Sequence, residues 1–351
     1  MRSLVAFFCI LFVGQLHAQY TSPFNKKSIV SDSTGTYSFI VSGHFYGDGT
    51  NNSRFPANSL LANLEWINQS KADMLVCLGD LFKDISNDIP TYQSSLFDPL
   101  AMPLVNTVGN HDLTGTIYQD NYGETGFSFE VNQDIHLIID TEQDNGDVSG
   151  EQFERLKTIR DQVKKEGINN VFIYTHRTVW SEAYDEMDGL FLDNTQGLTA
   201  TNFKDEVLPI LKEISAYSDV FWFSGSLGTA PSSFFYFEDQ ENKVKIIGTA
   251  IRALPRDAVL KVNVDQGNVN FETHSLTQQE LLPLEAYDVQ FWQTEVGIDP
   301  FNWKLILYYM QVAVTHRFFW YGVLSCVLAI FSFRFIRKRF FRQEAVGKRQ
   351  K

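Results

Sequence analysis

Pro103-Leu104-Val105-Asn106-Thr107-Val108-Gly109-Asn110-His111-Asp112 is a mostly apolar run that stops in four residues of turn and metal-ligand type. Upstream, Met74-Leu75-Val76-Cys77-Leu78 stops in the same way, at Gly79-Asp80-Leu81-Phe82-Lys83-Asp84. Short apolar runs bounded by turn residues read as buried strands. Two strands that each end in a loop of Asp, Asn and His predict a metal site at the carboxyl edge of a β-sheet.

Working outward, Tyr37–Val41 is a further strand, and Asn58–Gln69 has helical spacing, with Leu60, Leu61, Leu64 and Ile67 on one face. Strand, helix, strand is a βαβ unit. Gly126–Val131 and Ile135–Asp140 are separated by Asn132-Gln133-Asp134 and read as a hairpin. Ser149–Lys165 is a charged amphipathic helix with Ser149 as N-cap and Gln152 at N3. Val171–Thr175 and Val220–Ser224 are buried strands, with a helix over Phe203–Ala216 between them. Strands over Phe234–Phe237, Val244–Thr249, Ala258–Val264 and Val269–Thr273 follow. Tyr20–Gly35 is polar and reads as loose, and Leu281–Asp299 as a linker or stalk. The pattern predicts an α/β chain, a two-sheet β-sandwich flanked by helices.

The two ends carry different signals. Arg2, the apolar stretch Leu4–Val13 and Leu16-His17-Ala18 predict a signal peptide over 1–18. Phe318–Phe333 is apolar, extends back through Val312–Thr315, and is followed by Arg334, Arg337, Lys338, Arg339 and Arg342. That is a stop-transfer pattern. The expected organisation is a signal (1–18), a folded domain (37–275), a linker and membrane-proximal segment (276–311) including a helix over Phe301–Val314, a transmembrane helix (312–333) and a basic cytoplasmic tail (334–351). The chain would sit in the cell membrane as a single-pass protein with its body outside the cytoplasm. The tail holds eight Lys or Arg against Glu344, so the rest of the chain is more acidic than the formal −13 of the whole. An acidic body is a poor partner for phosphate backbones, and no nucleic acid is expected. Of the three Cys, only Cys77 lies in the body, which excludes a disulfide there.

The motifs resemble those of the calcineurin-like metallophosphoesterases, over roughly Tyr37 to Ala250. In that family five blocks at successive strand ends, D-x-H, G-D-x-x-D, G-N-H-[DE], a lone His and G-H-x-H, hold two metal ions that activate a water for attack on phosphorus. The resemblance assigns Asp80 as the bridging carboxylate and Asn110 and His176 as further metal ligands. His111 becomes the residue that meets the phosphate and acts as acid toward the leaving group, with Asp112 orienting it. His44 is retained from the first block as a ligand that also steadies charge. Ser42 stands where the family has Asp, and Ser226 and Gly228 where it has His.

The resemblance implies a membrane-anchored phosphoesterase with an atypical or weakened centre, acting on a phosphoester of unknown class. It would use one or two divalent ions, for which Asp, Asn and His admit Mn, Fe or Zn. The alternative is an inactive pseudo-phosphoesterase serving as a binding or assembly module at the membrane. The acidic stretch between His176 and Phe203, with Trp180, Tyr184 and Phe191 interleaved, reads either as a cover for the site or as a solvated loop.

Overall fold

The computed structural model describes residues 20–29, 35–191, 201–228, 230–252, 255–296, 314 and 317–347. The chain divides into a body, Met1–Gly297, and a C-terminal unit, Ile298–Lys351. Strands of the body are β1 (Thr36–Ser42), β2 (Met74–Cys77), β3 (Leu104–Asn106), β4 (Phe127–Val131), β5 (Asp134–Ile138), β6 (Asn170–Thr175), β7 (Asp219–Ser224), β8 (Phe234–Asp239), β9 (Val244–Thr249), β10 (Ala258–Asp265) and β11 (Asn268–Ser275). They form a five-stranded sheet in the order β11-β10-β1-β2-β3 and a six-stranded sheet in the order β4-β5-β6-β7-β9-β8.

The central strands β1, β2 and β3 are parallel, as are β5, β6, β7 and β9. Strands covered on both faces are continuously apolar rather than alternating. Met74–Cys77 and Asn170–Thr175 are accordingly buried at every position. The inner faces of the two sheets meet in an aromatic layer. Phe39 of β1 stands edge-on to Phe172 at 5.3 Å and to Phe223 at 6.1 Å, across the sandwich. Such pairs add about 0.5–1.5 kcal/mol each beyond the area they bury.

One polar group sits in that layer. His136 is stacked on Phe129 and Phe172, with Nε2 3.1 Å from the Tyr37 hydroxyl and Nδ1 2.9 Å from that of Tyr174. Tyr37 in turn donates to Asp134 at 2.8 Å. Burial holds the His136 imidazole down at about 3, so it is neutral in the folded chain.

Helices cover the outer faces. Those within Asn58–Gln69, Ile85–Tyr92 and Ile117–Tyr122 pack on the five-stranded sheet. Gly150–Glu166 and Leu208–Ile214 pack on the six-stranded sheet. The expected two-sheet α/β architecture is present.

Several local expectations change. The helix read over Asn58–Gln69 is interrupted at Asn63, whose amide donates to both Ser59 O and Leu276 O. Ser149 does not cap its helix: its hydroxyl bonds Asp144 instead. Gln152 reaches back to Asp140, accepting from its N–H and donating to its carbonyl. Within the stretch read as loose, Phe24 and Ile29 are buried and Ser22 donates to Leu104 O at 2.7 Å. Within the stretch read as a linker, Leu284, Tyr287 and Trp292 are buried, and the Trp292 indole donates to Phe234 O. Trp180, Met187 and Phe191 of the acidic stretch join the core on the outer face of the six-stranded sheet, and the Tyr184 hydroxyl donates to Asp239. Asp193 lies outside the described residues.

In the C-terminal unit, Arg317–Gly347 is a helix whose apolar residues Phe319, Leu324, Leu328, Phe331 and Phe333 are exposed. Among the described residues no helix is long and apolar enough to cross a membrane. The expected signal at 1–18 and the expected helix over Phe301–Val314, except Val314, lie outside the described residues, as do 348–351 of the tail.

Candidate metal centre

The carboxyl ends of the parallel strands of both sheets converge. The Gly43 N–H donates to Thr249 O, and the Ile251 N–H donates to Gly43 O, tying the exit of β1 to that of β9. The His44 N–H donates to Gly79 O, and the Gly225 and Ser226 N–H groups donate to His176 O. Loops from β1, β2, β6 and β7 are thereby fastened to one another before any side chain is considered.

This close fastening explains two glycines. A Cβ on Gly79, whose φ is +82°, would lie 2.5 Å from His176 Nδ1, and one on Gly109 would run into the Asp80 carboxylate. His44 and Asp80 themselves hold φ of 56° and 55°. Non-glycine residues avoid this left-handed region, and such strain concentrates at functional sites.

His44, Asp80 and His176 are all buried, and one ligand atom from each lies within 4.8 Å of the others. His44 Nδ1 is 3.4 Å from Asp80 Oδ2, and His176 Nε2 is 3.6 Å from Asp80 Oδ1. His176 Nδ1 donates to Leu78 O at 2.8 Å, which fixes the tautomer and leaves the Nε2 lone pair toward Asp80. That Nε2 and both ring nitrogens of His44 are buried without a hydrogen-bond partner. Burial first, and then the charges of Arg252, His176 and His111, hold the His44 imidazole well below its ordinary range. Neutral imidazole nitrogens gathered on a buried carboxylate are costly unless a cation meets them. The three residues fit one divalent ion.

Three positions of the family's ligand pattern carry none of its ligand types. Ser42 is buried and its hydroxyl accepts from Thr249 at 3.5 Å, and Ser226 and Gly228 present no imidazole. Where the last histidine of the pattern would stand, the Gly228 carbonyl accepts from Arg252 Nη1 at 2.8 Å.

Asn110, His111 and Asp112 form a short turn after β3. Asn110 is exposed and adjoins His111, whose N–H meets the buried group. The His111 N–H donates to Asp80 Oδ1 at 3.2 Å, and its ring Nδ1 donates to Lys83 O at 2.9 Å. The role assigned to Asp112 changes. Its fully buried carboxylate accepts from Phe82 N and Gly109 N, so it braces the two ligand loops, and His111 is oriented by the Lys83 carbonyl. Burial, and then the Asp80 charge, push the Asp112 carboxyl up to about 7.

Two residues near the centre carried no motif. Tyr46 is buried, its ring 5.6 Å from His44 and 5.0 Å from His111. Arg252 follows β9 and is half-buried. His111 also lines an open cleft of about 280 Å³ with Asn51, Arg54, Phe55, Lys83 and Asn87. His274, in β11 downstream of the fifth block, stacks on Trp66 at 3.3 Å.

A model of the calcineurin-like phosphoesterase family matches residues 10–136, beginning within the stretch read as a signal. No curated protein matches the chain in sequence. Among solved structures, a purple acid phosphatase from yellow lupin (Lupinus luteus) seeds superposes with TM-score 0.50 at 13% identity, covering 72% of this chain and 54% of that one. A dimetal phosphatase from Danio rerio superposes with TM-score 0.47 at 13% identity, covering 71% of this chain and 99% of that one. The chain thus spans about half the length of the lupin protein. Residues 10–136 thus match the calcineurin-like phosphoesterase model, and the fold is similar to that of a purple acid phosphatase.

Proposed function

We propose that the chain hydrolyses phosphate esters at a centre built on a single divalent ion held by His44, Asp80 and His176. The observation that carries this reading is the set of buried, unpartnered imidazole nitrogens around Asp80, beside the cleft that His111 lines. The ion would supply positive charge for the phosphoryl oxygens and a water acidic enough to attack phosphorus. Asp80 holds it with charge, and His44 and His176 with neutral nitrogen. Asn110, exposed beside His111, can add an amide oxygen from the solvent side. With Nδ1–H donating to the Lys83 carbonyl, His111 keeps Nε2 for the leaving-group oxygen, and in its doubly protonated form it passes the Nε2 proton there and returns to the neutral imidazole. Mn, Fe and Zn all suit this donor set. The test is turnover of phosphomonoesters by the purified chain with each metal in turn.

The loss of ligands at Ser42, Ser226 and Gly228 favours a second reading, an inactive phosphoesterase scaffold that binds or assembles partners. A chain that takes up no metal and turns over no phosphoester would establish it.

Membrane anchoring belongs to the same proposal, with a single-pass chain at the cell membrane and its body outside the cytoplasm. The exposed apolar residues of Arg317–Gly347 and the basic residues from Arg334 onward support it. A transmembrane span over 312–333 draws also on residues outside the described set, and recovery of the full chain in the carbonate-washed membrane fraction tests it.

A further inference from the structure

We infer that Arg252 takes the place of the second metal ion, so that the phosphoryl group is held between one divalent cation and a guanidinium. This inference rests on the hydrolase reading above. Its basis is where the side chain is held. Gly228 stands at the position of the last histidine of the family pattern, and its carbonyl fixes Arg252 Nη1 at 2.8 Å. The backbone before Arg252 is fastened to the first ligand loop, through the Gly43–Ala250 bridge and the Ile251 N–H on Gly43 O. The Arg252 N–H donates to the buried Asp257 carboxylate, which also accepts from Ser59, so the base of the side chain is pinned.

Chemistry agrees with position. Ser42, Ser226 and Gly228 offer no charge where the family pattern has Asp and two His, and the carbonyl of the last of them holds a cation. A guanidinium is permanently charged, and its planar fork matches two phosphate oxygens at once. Only one of its nitrogens is engaged, by Gly228, among the side-chain hydrogen bonds of the described residues. Asp80 is the one carboxylate among the converging ligands. A divalent ion on it and the guanidinium offer two cations to one phosphoryl group. The substrate class that fits is therefore the monoester, whose dianion meets both cations.

The experiment uses the full chain, loaded with Mn, Fe or Zn, with metal content measured by elemental analysis and binding of inorganic phosphate by calorimetry. The wild type should hold one ion per chain. Arg252→Gln should hold the same single ion and lose at least tenfold in phosphate affinity, while Arg252→Lys recovers part of it. Thermal unfolding of each variant separates this effect from loss of the fold. Two ions per chain in the wild type would overturn the inference together with the single-ion centre, and unchanged phosphate affinity in folded Arg252→Gln would overturn the inference and leave the hydrolase reading standing. Should Arg252→Gln fail to fold, Arg252→Lys decides, since equal phosphate affinity and two bound ions in that variant would likewise overturn it. Phosphate binding by a chain that holds no metal would overturn the inference and the hydrolase reading together.

Discussion

His111 and Asp112 are neighbours with separate tasks. The imidazole is held by a backbone carbonyl and faces the cleft, whereas the carboxylate is sealed between two loop N–H groups. General acid catalysis matters most when the leaving group is basic. His111→Ala should lower kcat/KM by about 10²–10⁴-fold on an alkyl phosphate and far less on p-nitrophenyl phosphate. Equal losses on both substrates would show that His111 is not the proton donor. Gly79 gives a second prediction at this scale. Gly79→Ala puts a methyl against the His176 ring at a positive φ, so it should cost about 1–3 kcal/mol in unfolding free energy and reduce metal occupancy. Denaturant unfolding and elemental analysis read both. Much of the centre was legible from local pattern, because Asp80 and His176 each follow a continuous apolar strand. Arg252 and Tyr46 were not legible. Their roles come from loops that meet in space, and nothing adjacent in sequence marks them. The reading of Asp112 as the partner of His111 failed because backbone donors, invisible as residue types, reached the carboxylate first.

The elements were read best where burial is two-sided. β2, β3, β6 and β7 are each built on a buried, mostly apolar run, and the turn at Asn132 set the β4–β5 hairpin. The antiparallel pairing of β10 with β1 spans most of the body and has no sequence signal. The interruption at Asn63 depends on a carbonyl of Leu276 that no local window contains. The aromatic layer between the sheets makes a pH prediction. His136 is neutral when folded, with its acidity near 3, and takes a proton near 6.5 when unfolded. Because the folded value is depressed, the unfolded chain binds more protons between these limits, and stability is lost as pH falls through them. Relative to His136→Phe, the wild type should lose about 1.4 kcal/mol per pH unit between pH 6 and 4. Asp134 and Asp112 titrate in both proteins, so the comparison isolates the histidine. Parallel stability curves for the two would contradict the neutral, buried assignment.

At the scale of the whole molecule, the two ends of the chain carry a reading that the sandwich does not need. The body closes its own core, down to Trp292 in the helix Val289–Val296. A chain ending at Val296 should therefore keep the melting temperature and metal content of the full chain's body while leaving the membrane fraction. Loss of folding on that truncation would mean that Ile298–Lys351 contributes to the body. The division of the chain after Gly297 falls inside the stretch read as a linker. The packing of Leu284–Val296 onto the body was not legible in the sequence, since its three large anchors are spaced among exposed polar residues.

The account rests on a metal ion gathered by His44, Asp80 and His176. Elemental analysis of the purified wild type and Asp80→Ala, each incubated with Mn, Fe or Zn and then desalted, tests it most directly. The account predicts one ion per chain in the wild type and none in the variant. An ion retained by Asp80→Ala, or no ion in either protein, would contradict it.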